Sequence, residues 1–148
     1  MVAPHRKDDV KRYVWLLLLA VAPGAAHADE LAHLTVVVRN VSDAGGDLRL
    51  GIYDAENFAK KGGIPVARKS VHARGGTMTL EFDGIPPGTY AVKVAQDINM
   101  NGTFDYGMKG IEPFGFSRDP AVTVGLPPFD DAKIALAPGA NAIDIHLR

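Results

Sequence analysis

The chain has 148 residues, no cysteine, 16 basic and 17 acidic side chains, and a formal net charge of −1. Near-neutral charge, with no basic patch and no interleaving of basic and aromatic residues, argues against nucleic acid as a partner. The lack of cysteine excludes disulfides and a lipid-modified cysteine near the N-terminus. Stability therefore has to come from an apolar core, with or without help from a metal ion.

The N-terminal segment reads as a secretory signal peptide. Arg6, Lys7, Lys11 and Arg12 make its start net positive, and Val14 to Ala22 is a continuous apolar run. Pro23-Gly24 breaks that run, and Ala26-His27-Ala28 offers small residues two apart, which predicts cleavage after Ala28. The apolar run is too short for a comfortable membrane span, so no stable span is expected after cleavage. Residues 29–148 then form one domain of 120 residues with 12 basic and 15 acidic side chains, net −3, long enough to bury a substantial core. The expected location is the periplasm or the extracellular space.

In chain order, Leu34-Thr35-Val36-Val37-Val38-Arg39 is β-branched and predicts a strand. Ser42-Asp43-Ala44-Gly45-Gly46 is a turn signal, and Leu48, Leu50 and Ile52 then alternate with Arg49, Gly51 and Tyr53. These read as a second strand paired to the first. Ala55 to Pro65 reads as a loop or one short helical turn, and Val66 to Ala73 as a third strand. After Gly75-Gly76, Met78, Leu80 and Phe82 form the apolar face of a fourth. Gly84-Ile85-Pro86-Pro87-Gly88-Thr89-Tyr90 is a tight turn in which proline fixes φ and glycine admits a positive one. It feeds a strand carrying Tyr90, Val92 and Val94. Residues 96–131 read as irregular, and Ala132 to Leu136 and Ala142 to Leu147 as closing strands. Short strands, regular turn signals and no long amphipathic helix predict an all-β antiparallel sandwich of about seven strands, immunoglobulin-like or transthyretin-like. Leu50, Leu80, Val92 and Ile145 are expected in one core.

The chemistry concentrates in Asp97-Ile98-Asn99-Met100-Asn101-Gly102-Thr103-Phe104-Asp105. Oxygen-bearing side chains stand first, third, fifth and ninth, with a glycine sixth, which is the ligand rhythm of a calcium loop. Asp97, Asn99, Asn101 and Asp105 offer side-chain oxygens, and the Thr103 carbonyl is a fifth candidate ligand. Position twelve is Met108, where an EF-hand needs glutamate, so this is not an EF-hand. The competing reading is an Asn-Gly turn whose polar side chains bond their own backbone. Asn40-Val41-Ser42 and Asn101-Gly102-Thr103 fit the glycosylation sequon and are read as chance.

Elsewhere no catalytic constellation stands out. Phe104, Tyr106, Phe114, Phe116 and Phe129 crowd the region after the loop and are expected to pin it onto the sandwich. Asp130-Asp131 reads as a capping or solvated pair. Ser117 lacks the Gly-x-Ser-x-Gly elbow, and His33, His72 and His146 have no metal-ligand spacing. The chain is expected not to be an enzyme. The alternative is an envelope glycan hydrolase using Asp97, Asp105, Asp130 or Asp131 as paired acids, which would have to face one bond at roughly 5–9.5 Å.

Four segments in order carry a resemblance. They are Gly84 to Val92, the Asp97–Asp105 loop, Gly110-Ile111-Glu112-Pro113-Phe114-Gly115-Phe116-Ser117, and Pro128-Phe129-Asp130-Asp131-Ala132. Together they resemble the domain-of-unknown-function 2141 family of uncharacterised bacterial secreted proteins, over about residues 34–148. This chain keeps the family's Asp-x-Asn-x-Asn-Gly-x-x-Asp loop. It departs from the usual Gly-Ile-Pro-x-Glu-Gly-Tyr-Gly-Phe-Ser at Glu112-Pro113-Phe114, which leaves the acid's role open. The resemblance implies a secreted β-sandwich with no established activity. The resulting expectation is a calcium-stabilised module for binding or assembly, acting on an envelope or extracellular partner.

Overall fold

The computed structural model describes residues 30–105, 112–122 and 125–148. The signal-peptide reading, Tyr106 and Met108 lie outside the described residues. Eight strands and two helical turns follow one another: β1 (Ala32–Val41), β2 (Asp47–Tyr53), α1 (Ala55–Phe58), β3 (Ala67–His72), β4 (Gly76–Ile85), β5 (Gly88–Asp97), β6 (Phe114–Phe116), α2 (Phe129–Ala132), β7 (Ile134–Leu136) and β8 (Gly139–His146). A three-stranded sheet has the order β4-β1-β8. The second sheet has the order β3-β2-β5-β6, with β7 also paired to β5.

The two sheets pack as a β-sandwich. Its core follows from period-two alternation, which sends every second side chain to the same face. Leu34, Val36 and Val38 of β1, Leu80 and Phe82 of β4, and Ile145 of β8 meet Leu48, Leu50 and Ile52 of β2 and Tyr90, Val92 and Val94 of β5 in one buried cluster. Leu50, Leu80, Val92 and Ile145 share this core, as the sequence predicts.

Several pairings differ from the sequence expectation. β2 does not pair with β1; it lies between β3 and β5 in the opposite sheet. The turn signal at 42–46 is a crossover between sheets rather than a hairpin. The buried Gln96 holds it there, accepting from Ser42 N at 2.8 Å and donating to the carbonyls of Ser42 and Gly45 at 2.8 and 2.7 Å. Gly46, at φ +80°, presses so closely on β5 that a Cβ would stand 2.2 Å from the Asp97 carbonyl oxygen, so only glycine fits. β8 runs parallel to β1, from Ala32 opposite Gly139 to Arg39 opposite His146, while the other pairings are antiparallel. β6 and α2 fall in the stretch read as irregular. Ala132 belongs to α2 rather than to a strand, and β8 begins at Gly139 rather than Ala142.

The outer face of the five-stranded sheet carries a second, smaller cluster. Asp54 caps α1 by accepting from Asn57 N at 2.8 Å, an ordinary N-cap. That bond holds its carboxyl below the usual value. The cap delivers Phe58 onto Ala91, Phe116 and Ala132, with Tyr53, Phe114 and Phe129 packed around them.

Candidate functional site

The loop leaves β5 at Asp97, the last residue of the strand. Because Asp97 is on the outward face beside Asp47, its carboxylate lies under the loop. It is only 3 % exposed. One carboxylate oxygen accepts from Asn101 N at 3.1 Å, and the other from Gly102 N at 2.8 Å and from the Arg49 guanidinium at 3.2 Å. Gly102 takes φ +81° and Met100 φ +56°, so the chain bends where the sequence places its sixth-position glycine.

The remaining predicted ligands converge from above. Asn99 Nδ2 and Asn101 Nδ2 donate to the same oxygen, Oδ2 of Asp105, at 2.6 and 2.8 Å. Asn99 Oδ1 accepts from Asn101 N at 3.0 Å, the amide that also reaches Asp97. Asn101 Oδ1 accepts from Thr103 N and Oγ1, both at 2.8 Å. Asp97, Asn99, Asn101, Thr103 and Asp105 therefore form one hydrogen-bonded cluster.

This geometry can be tested against a calcium ion. In the structure both amide NH₂ groups donate to Asp105, and both amide oxygens accept from backbone N–H groups of the loop. Calcium would require each amide to turn through 180°, which brings two oxygens toward Asp105 and gives up the bonds from Asn101 N and Thr103 N. The donor set of two carboxylates, two amides and a backbone carbonyl is the all-oxygen chemistry that a calcium ion would take. Among the described residues no three His, Cys, Asp or Glu side chains gather as a metal group, so amide oxygens would have to complete the set. The Arg49 guanidinium already pairs with one Asp97 oxygen and would compete with an ion there.

Glu112 is the functional residue that the sequence leaves open. It is 5 % exposed. Its Oε1 accepts from Ile98 N and its Oε2 from Asp105 N, both at 2.9 Å, while its own N–H donates to the Asp105 carbonyl at 3.1 Å. One carboxylate thus ties the entry of the loop to its exit. Next to it, Gln96 N donates to the Pro113 carbonyl at 2.8 Å. The aromatics continue from the loop as a chain of edge-to-face contacts: Phe104 with Phe114 at 5.5 Å, Phe114 with Phe116 at 5.8 Å, Phe116 with Phe58 at 6.2 Å, and Phe58 with Phe129 at 5.7 Å. Of the expected aromatics, Phe114, Phe116 and Phe129 pack onto the sheet.

The other candidates are dispersed. Ser117 is fully buried and structural, its hydroxyl accepting from Val92 N at 2.9 Å and donating to the Ala132 carbonyl. His33, His72 and His146 each face a different aspartate: Asp83, Asp47 and Asp119. Asp130 bonds Lys133 at 2.8 Å. The hydrogen bond and charge of that lysine hold its carboxyl below the usual range, the wrong direction for a general acid. Of Asp97, Asp105, Asp130 and Asp131, Asp97 alone lines the large groove on this face.

The family described as an uncharacterized protein conserved in bacteria matches residues 36–144, from within β1 to within β8. No curated protein and no solved structure matches the chain. The matched span holds the Asp97–Asp105 loop, Glu112 and both sheets, and on it the chain belongs to the domain-of-unknown-function 2141 family.

Proposed function

We propose that this protein is a non-enzymatic β-sandwich module of the cell envelope, exported to the periplasm or beyond, stabilised by calcium and used for binding or assembly. The observation that supports the calcium reading is the convergence of two loop amides, Asn99 and Asn101, on one oxygen of Asp105, in a loop whose first residue, Asp97, carries a buried carboxylate. With only two formal charges among the ligands, and Arg49 opposing, the dissociation constant belongs in the extracellular range of roughly 10⁻⁵–10⁻³ M.

The test is a melting curve with and without calcium. At about 100 times its dissociation constant, calcium stabilises by about 2.7 kcal/mol, which raises the melting temperature by roughly 10 °C. Asp97→Ala and Asp105→Ala should remove most of that rise. Magnesium should substitute poorly, because it demands a tighter octahedron and gives up water reluctantly. If titration gives no heat and a chelator leaves the melting curve unmoved, the loop is a self-satisfied polar turn and the calcium reading fails.

Export rests on the charged start, apolar run and small residues of the N-terminal segment. N-terminal sequencing of the exported protein should begin at Asp29, and a mature form retaining Trp15 would contradict this. No helix among the described residues is long and apolar enough to cross a membrane.

A further inference from the structure

The outer face of the five-stranded sheet holds a groove of about 1040 Å³, and register explains its shape. Cross-strand neighbours on that face form the rows Arg68–Gly51–Lys93–Phe116 and Ser70–Arg49–Ala95–Phe114. In each row one of the two central positions is small, Gly51 in the first and Ala95 in the second, which leaves space beside Lys93 and Arg49. A trough results. The Tyr53 ring lies back along β2 onto Gly51, where an added Cβ would be 2.6 Å from it.

The two sides of this trough differ chemically. One side is cationic. Arg49 and Arg68 are close enough to act on the Tyr53 hydroxyl, and the Lys93 ammonium sits 4.4 Å from the Tyr53 ring centre and bonds the Phe58 carbonyl. Burial pushes that ammonium below the usual lysine value. Arg49 is paired with Asp97, but among the described residues neither Arg68 nor Lys93 has a carboxylate partner. The opposite side is apolar, formed by Phe104, Phe114 and Phe116. Phe104 and Leu126, which line the groove, are 45 % and 46 % exposed.

We infer that this groove binds an organic anion with an apolar body, its acid group held by Arg68 and the Tyr53 hydroxyl and its acyl or aryl portion laid on the Phe104–Phe114–Phe116 side. Charge complementarity decides the polar end, since two cations lack carboxylates. The exposed Phe104 and Leu126, backed by the half-buried Phe114, decide the rest, because they make the groove's other wall apolar, as ligand pockets with a few placed polar groups are. This assignment names a ligand class for the binding role proposed above and does not depend on calcium.

The probe is anilinonaphthalene sulfonate, titrated by fluorescence in a chelator so that the outcome is separate from the calcium reading. Saturable binding to one site is expected. Decanoate should displace the dye; decanol, lacking charge, and glucuronate, lacking an apolar body, should not at the same concentration. Arg68→Glu, an exposed change, should weaken binding about tenfold or more, the scale of losing a bond to a charged group, with the melting curve unchanged. Phe104→Ala should weaken it too. Dye binding that is undiminished in Arg68→Glu, that rises only as the protein melts, or that glucuronate displaces as well as decanoate would overturn the inference.

Discussion

Replacing Glu112 by alanine is expected to destabilise the protein by about 2–4 kcal/mol, because each hydrogen bond to a charged group contributes about 1.5–3 kcal/mol and water recovers part of the loss at a surface loop. The buried carboxylate accepts from the amides of Ile98 and Asp105 and holds the loop closed at its base. Without it, both N–H groups lose their acceptor, and the aromatic chain that starts at Phe104 loses its anchor. Amide hydrogen exchange separates this from a general loss of stability. Ile98 and Asp105 should lose protection well before Val92 or Val94 in the core. Glu112→Gln keeps the shape but turns an NH₂ group toward one of the two amides, so it should restore protection at one of them and not both. If Glu112→Ala leaves the melting curve and both amides unchanged, the carboxylate is not the latch.

Leu80→Ala should cost about 2–5 kcal/mol, the transfer of the lost methyl groups plus the cavity they leave. Leu80 is buried, pairs across the sheet with Val36, and contributes to the cluster that joins both sheets. Against a whole-domain stability of about 5–15 kcal/mol, this is a large fraction. The urea midpoint should fall while the slope of the transition stays constant. Met78→Ala, on the same strand but only partly buried, should cost clearly less. Equal costs at the two positions would mean that Leu80 does not lie in the shared core.

Much of the fold is legible in the sequence because alternation is local. Leu48, Leu50 and Ile52 declare an inward face without reference to anything else in the chain, and so do Tyr90, Val92 and Val94. Which strand each one pairs with is not local. Ser42 to Gly46 has the composition of a hairpin turn, and what makes it a crossover is Gln96, more than fifty residues away in sequence. β6 is only three residues long, too short for alternation to register. In the candidate site, the clustering of Asp97, Asn99, Asn101, Thr103 and Asp105 is legible because their spacing within one short loop is itself the signal. Glu112 is not, since its value lies in two amides that only the fold brings to it. The groove left a readable trace: Gly51 stands between Arg49 and Tyr53, and Ala95 between Lys93 and Asp97, on the outward faces of their strands.

The parallel pairing of β1 with β8 also sets a schedule for folding. Ala32 finds Gly139 and Arg39 finds His146, so the first strand to emerge during synthesis meets its last partner only after nearly the whole chain has followed. β1 can pair with β4 earlier, but its other edge stays open, a row of unpaired amides and carbonyls on a strand rich in valine. Such an edge is a template for the wrong neighbour, and pairings this distant in sequence form slowly. The final strand therefore acts as a closing seam. Until it is laid down, the three-stranded sheet exists only as a two-stranded fragment, and a chain stopped short of Gly139 would carry its most adhesive edge uncovered.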